Sequence, residues 1–207
     1  MRKIGIMMIM TGILLLSFYF AYYFGISNKE KEEIDNYITE TSIIDESNIS
    51  QEETNEEIIE EVKQEEQKQV VQKLDYKAIL EIPKINLKNG LVETTKNFDS
   101  INYAISIDKN SNYPNENGNF ILYAHSGSSR IAFFKNLNKV DISDNVVVYY
   151  EGIKYTYQIT NKYEIEKNGK LKVFKYEGKK LITLLTCISN TNKQVVLIGE
   201  QIKNEIY

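Results

Sequence analysis

With one cysteine and one histidine, this chain of 207 residues can close no internal disulfide and can assemble no zinc set. It has no glycine-rich phosphate loop, so the usual backbone cradle for nucleotides is missing. There are no internal repeats and no low-complexity tract beyond one acidic stretch. Only two arginines are present, Arg2 and Arg130, among abundant Lys, Asn and Ile. A lone cysteine without a disulfide partner is either a small buried hydrophobe or a reactive thiol.

What the chain does have is uneven along its length. Met1-Arg2-Lys3 forms a basic tip, and Ile4 to Ile26 follow with no charge. Twenty-three residues at 1.5 Å each reach roughly 35 Å, more than a hydrocarbon core of about 30 Å. Tyr19, Tyr22 and Tyr23 sit near the far end, where aromatic rings favour the interface. The run is longer than a signal-peptide core and no small-x-small cleavage site follows it, so it is expected to be an uncleaved transmembrane anchor. Basic residues before the span and acidic ones after it predict a cytoplasmic N-terminus, with the remainder outside the cell.

Residues 27–75 hold 16 Asp and Glu against 5 Lys, with no Gly or Pro. The first part, to about residue 51, is polar and aperiodic, which predicts a disordered spacer. From about residue 52 apolar residues recur loosely at helical spacing, which predicts a helical stalk or the first helix of the folded domain. Residues 76–207 carry 18 basic and 13 acidic groups and are long enough for one core. Strand patterns predominate there: 78–82, 102–107, 119–125, 145–150, 153–165, 180–186 and 194–202, with Glu151-Gly152 as a hairpin turn. One short helix is expected over Arg130 to Asn138. Seven or eight short strands with one or two short helices predict a mainly β fold that closes into a barrel.

Cys187 ends the run Leu181-Ile182-Thr183-Leu184-Leu185-Thr186, and His125 ends Phe120-Ile121-Leu122-Tyr123-Ala124. Strand ends next to loops are where rigid scaffolds present chemistry. A thiol with a pKa of about 8.5 is only a few per cent ionised at neutral pH, and a nearby imidazole that takes its proton activates it. If the two strands are neighbours, residues 62 apart in sequence share one site.

Thr183-Leu184-Leu185-Thr186-Cys187 resembles the Thr-Leu-x-Thr-Cys signature of sortases, the membrane-anchored cysteine transpeptidases of Gram-positive bacteria. The resemblance extends through Ile82-Pro83-Lys84-Ile85, Tyr123-Ala124-His125-Ser126 and Phe133-Phe134-Lys135-Asn136-Leu137, with Asp144 and Val146 to Val148 beyond, and spans 76–207 in the family's order. It implies a closed eight-stranded barrel in which Cys187 attacks a Leu-Pro-x-Thr-Gly-like sorting signal near a secreted protein's C-terminus. The acyl group then passes to a cell-wall precursor or another amine, with His125 as general acid and base. No nucleic acid is expected as a partner. No cofactor is implied as a requirement; calcium is, in some class A members, and Glu164, Glu166 and Glu177 are its scattered carboxylates here. With no apolar run after the last strand pattern, no Asp-Pro lid motif and too short a segment at 164–179 for a long inserted helix, a class A or class D type is expected.

One departure stands out. Sortases carry an arginine on the strand after the cysteine, whereas 188–196 contains none. Gln194 falls at that position with Lys193 beside it, and Arg130 lies five residues past His125; with Thr186 these are the candidates for oxyanion or substrate contacts. Loss of one oxyanion donor costs roughly 100- to 1000-fold in rate. Two alternatives therefore accompany the transpeptidase: a degenerate barrel serving as a binding module, and a cysteine hydrolase that releases its product.

Overall fold

The computed structural model describes residues 2–42, 74–95, 99–167 and 178–207. The chain divides into two compact units, residues 1–40 and 41–207. Helix α1, Arg2–Ser42, runs through the uncharged stretch and on past residue 26. The first part of the acidic segment is thus helical up to Ser42 rather than aperiodic. Once an apolar helix is nucleated, a following stretch of Lys and Glu without Gly or Pro extends it at little cost. Residues 10–23 are all exposed, and among the described residues no helix is long and apolar enough to cross a membrane. The stalk expected from about residue 52 lies outside the described residues.

The second unit is built from β1 (Ala78–Ile82), β2 (Leu87–Glu93), β3 (Ile105–Ile107), β4 (Gly118–Tyr123), β5 (Asn145–Tyr150), β6 (Ile153–Glu166), β7 (Lys180–Cys187) and β8 (Lys193–Ile206). They close into a barrel in the order β1-β2-β3-β4-β7-β8-β6-β5. β2 with β3 and β4 with β7 run parallel; the other pairs are antiparallel. Alternate residues point inward, so Leu80, Leu122, Val148, Tyr157, Leu184 and Leu197 meet in one core. Burying each such side chain contributes about 1.5–3 kcal/mol.

Two local features account for departures from the strand pattern. β2 carries Asn89-Gly90, a pair that reads as a turn, yet it lies mid-strand. A Cβ on Gly90 would come within 2.3 Å of the Tyr76 ring, so the glycine serves close packing rather than a bend. At Glu151-Gly152 the turn signal does hold. Both residues have positive φ, 49° and 73°, and they join β5 to β6 with Tyr150 facing Ile153.

The helix expected over Arg130 to Asn138 does not form. The segment is a string of turns ending in one 3-10 turn, Leu137–Lys139. The Phe134 N–H donates to the His125 carbonyl at 3.0 Å, where an α-helix would have sent it to Arg130. Phe134 and Leu137 are fully buried, so their apolar spacing reflects two plugs in the core rather than a helix face.

Candidate active site

The parallel pairing of β4 and β7 is the decisive element. Gly118 faces Lys180 and the register runs evenly to Tyr123 opposite Leu185. Both strands therefore leave the sheet at the same end. Two residues further along each chain stand Cys187, the last residue of β7, and His125, on the loop that continues from β4. The junction is tied by side chain as well as backbone. The Ala124 N–H donates to the Leu185 carbonyl at 3.4 Å, and the buried Thr186 hydroxyl donates to the Ala124 carbonyl at 2.8 Å. The Phe134 N–H on the His125 carbonyl holds the other side of the same residue.

Alternation sorts the faces. Phe120, Leu122 and Ala124 face the core, as do Ile182 and Leu184. Tyr123, Leu185 and Cys187 consequently face outward. Both His125 and Cys187 are half-buried, so the sulfur is neither sealed in nor fully bathed.

The four candidates for oxyanion or substrate contacts fall in different positions. Gln194 is the cross-strand partner of Cys187, and its Nε2 lies 4.0 Å from Sγ. The Ile188 N–H donates to the Lys193 carbonyl at 2.9 Å, closing the neighbouring pair. Cys187–Gln194 is therefore a non-hydrogen-bonded pair, the kind in which side chains approach most closely. Lys193 lies on the opposite face, and its ammonium sits 3.0 Å from the Glu164 carboxylate, which raises its pKa by hydrogen bond and charge. Arg130 is exposed on the turn after Ser129 and, among the described residues, makes no ion pair. Thr186 faces inward with its hydroxyl committed to Ala124, so it holds the junction rather than reaching the outer face.

Registers also bring in residues that the motifs did not mark. Gln194 faces Ile165 on β6, and one step back Tyr123, Leu185, Val196 and Tyr163 form a row across four strands. The Tyr123 hydroxyl is hydrogen-bonded to Thr94 Oγ1 at 2.8 Å, and burial raises its pKa. Only strand pairing reveals this row; alternation within each strand gives the side, not the neighbour.

Glu164 is engaged by Lys193, and Glu177 lies outside the described residues. Among the described residues no group of three His, Cys, Asp or Glu side chains stands together as a metal site.

A closed β-barrel with a cysteine ending one of two parallel strands and a histidine two residues past the end of the other is the class that fold and site define. Residues 80–202 match the sortase domain family, and the chain belongs to that family. Its sequence is 27% identical over 129 residues to Sortase D of Bacillus subtilis (strain 168), a match covering 60% of this chain and 63% of that protein. The chain thus aligns with less than two thirds of that relative's length. In structure it resembles a Clostridium perfringens Sortase D5 transpeptidase, with a TM-score of 0.56, 21% identity, and coverage of 62% and 80% of the two chains. Sortase C1 from Streptococcus agalactiae gives a TM-score of 0.55 at 25% identity, over 66% of this chain and 72% of that one.

Proposed function

We propose that this protein is a cysteine transpeptidase acting on a Leu-Pro-x-Thr-Gly-like sorting signal of secreted proteins. The observation that supports the reading is the parallel β4–β7 register, which brings the two chains to one end of the sheet at Tyr123 and Leu185, two residues before His125 and Cys187. Cys187 Sγ attacks the carbonyl carbon of the scissile bond and forms a thioester. The C–N bond breaks, and the departing amine takes its proton from His125. An incoming amine, on a cell-wall precursor or a similar acceptor, then attacks the thioester. Its proton passes to His125 while the sulfur leaves as thiolate, so the site returns to its starting state.

We further propose that residues 4–26 tether the enzyme to the cell membrane, with residues 1–3 in the cytoplasm and the barrel outside. Support comes from the uncharged run, its helical state and the exposure of Leu14, Leu15 and Phe18. The acidic residues 27–75 then act as a self-repelling spacer between an anionic envelope and the catalytic unit.

The test is turnover of a fluorogenic sorting-signal peptide by the full chain, with and without an added amine. A product containing the amine supports transpeptidation. Free acid that is insensitive to amine makes the protein a hydrolase. No thioester adduct on Cys187 with any peptide of a sorting-signal library makes it a binding module. Cys187→Ala abolishes turnover while leaving Tm in place, since the sulfur is only half-buried. His125→Ala slows it by roughly 100-fold or more, the usual share of an acid–base group.

A further inference from the structure

We propose that Gln194 is the hydrogen-bond donor to the reacting carbonyl oxygen, so that this site stabilises its oxyanion with a neutral amide rather than a fixed cation. The inference rests on the transpeptidase reading and deepens it by assigning the group that arginine supplies elsewhere in the family.

Three side chains compete for the role, and the sheet separates them. Lys193 and Gln194 are consecutive, so they occupy opposite faces of β8. Lys193 is on the side that Val195 and Leu197 bury, at the rim, with its ammonium 3.0 Å from Glu164. Bringing it to Cys187 would require breaking that pair and inverting the strand face. Arg130 is exposed on a turn, and no contact holds it toward the sulfur among the described residues. Gln194 shares the outer face with Cys187, directly across a non-hydrogen-bonded pair. It is half-buried, and Nε2 already lies 4.0 Å from Sγ.

That distance suits a donor to the substrate better than a donor to the sulfur. A carbonyl carbon poised for attack lies about 3–3.5 Å from the nucleophile, with its oxygen another 1.2 Å or so beyond. A nitrogen 4.0 Å from the sulfur can therefore reach about 2.7–3.1 Å from where the oxyanion develops. Against the sulfur itself 4.0 Å is the outer limit of a contact.

The prediction has a signature that a structural role would not give. Gln194→Met keeps the side-chain length but donates nothing, and Gln194→Glu offers only acceptors; each lowers kcat by roughly 100- to 1000-fold, with KM within about threefold. Alkylation of Cys187 by iodoacetamide develops no oxyanion on a carbonyl, so in Gln194→Met its rate stays within about twofold of wild type, whereas the Gln194→Glu carboxylate beside the sulfur disfavours the thiolate and slows alkylation by itself. Thermal melts of both variants establish that they are folded, and their opposite polarity guards against an artefact of either one. If the wild-type chain turns over no sorting-signal peptide, the transpeptidase reading fails and this assignment goes with it. If the wild type is active and Gln194→Met retains its kcat, only the role of Gln194 is overturned. If alkylation of Gln194→Met slows as much as its turnover, the amide acts on the sulfur and the assignment is equally overturned.

Discussion

On the β7–β8 hairpin, Leu184 and Leu197 point inward and are fully buried, while Cys187 and Gln194 point outward and are half-buried. Both sets sit on the same two backbones, and Thr186 and Cys187 are adjacent residues. At the Cys187 end of the hairpin the inner face holds the strands to the core, and the half-buried outer face presents the chemistry. Because side chains alternate strictly, a change on one face should move one observable and spare the other. Substitutions that respect or violate this division are the means of testing it.

The largest effect on the inner side belongs to Leu184→Ala. Leu184 is fully buried against the core, and its truncation costs about 2–5 kcal/mol, depending on how far the cavity collapses. Urea unfolding should show the loss as a lower midpoint with an unchanged slope. Turnover per folded molecule should remain near wild type, measured well below the new midpoint. A fall in that rate larger than the loss of folded protein would mean that the two faces are not separable at this residue.

Much of this division was legible from sequence, but unevenly. β1 and β5 appear at the limits expected from their apolar runs, and β6, β7 and β8 start within a residue of expectation. β2 escaped because Asn89-Gly90 mimics a turn, and only the Tyr76 ring explains a glycine there. Phe133, Phe134 and Leu137 suggested a helix, although the Phe134 N–H donates to the His125 carbonyl, beyond the reach of the i−4 bond a helix would make. Cys187 and His125 could be singled out by their motifs. That Gln194 and not Lys193 faces the sulfur is a matter of register, which no single-strand pattern carries.

A smaller effect tests the boundary between the faces. Thr186 is buried on the inner side, yet its hydroxyl ties the Ala124 carbonyl next to His125. Thr186→Val keeps the shape and leaves that carbonyl short of one donor, at a cost of about 1–3 kcal/mol. Because the bond sets where His125 sits relative to Cys187, turnover should also fall, by up to about 100-fold if the pair shifts by an ångström. Thr186→Ser restores the hydroxyl and should recover most of the rate, which separates the hydrogen bond from simple packing. Iodoacetamide reactivity of Cys187 should follow turnover here, in contrast to Gln194→Met, because the histidine itself is displaced.

The smallest expected effect probes the rim, where inner-face residues run out into solvent. Glu164→Gln removes the carboxylate that holds the Lys193 ammonium, an exposed pair screened by water and salt. Tm should be essentially unchanged, and turnover should stay within about twofold of wild type. The freed lysine is the informative part. It lies one residue from Gln194, so a flexible ammonium able to swing over the strand edge would add positive charge near the reacting carbonyl and raise kcat in this variant. An unchanged kcat means that strand geometry, and not the ion pair, keeps Lys193 off the chemistry. A rise that disappears in the Glu164→Gln, Lys193→Met double variant would mean that Glu164 had been restraining a second donor, and the clean separation of the two faces would fail at the barrel's rim.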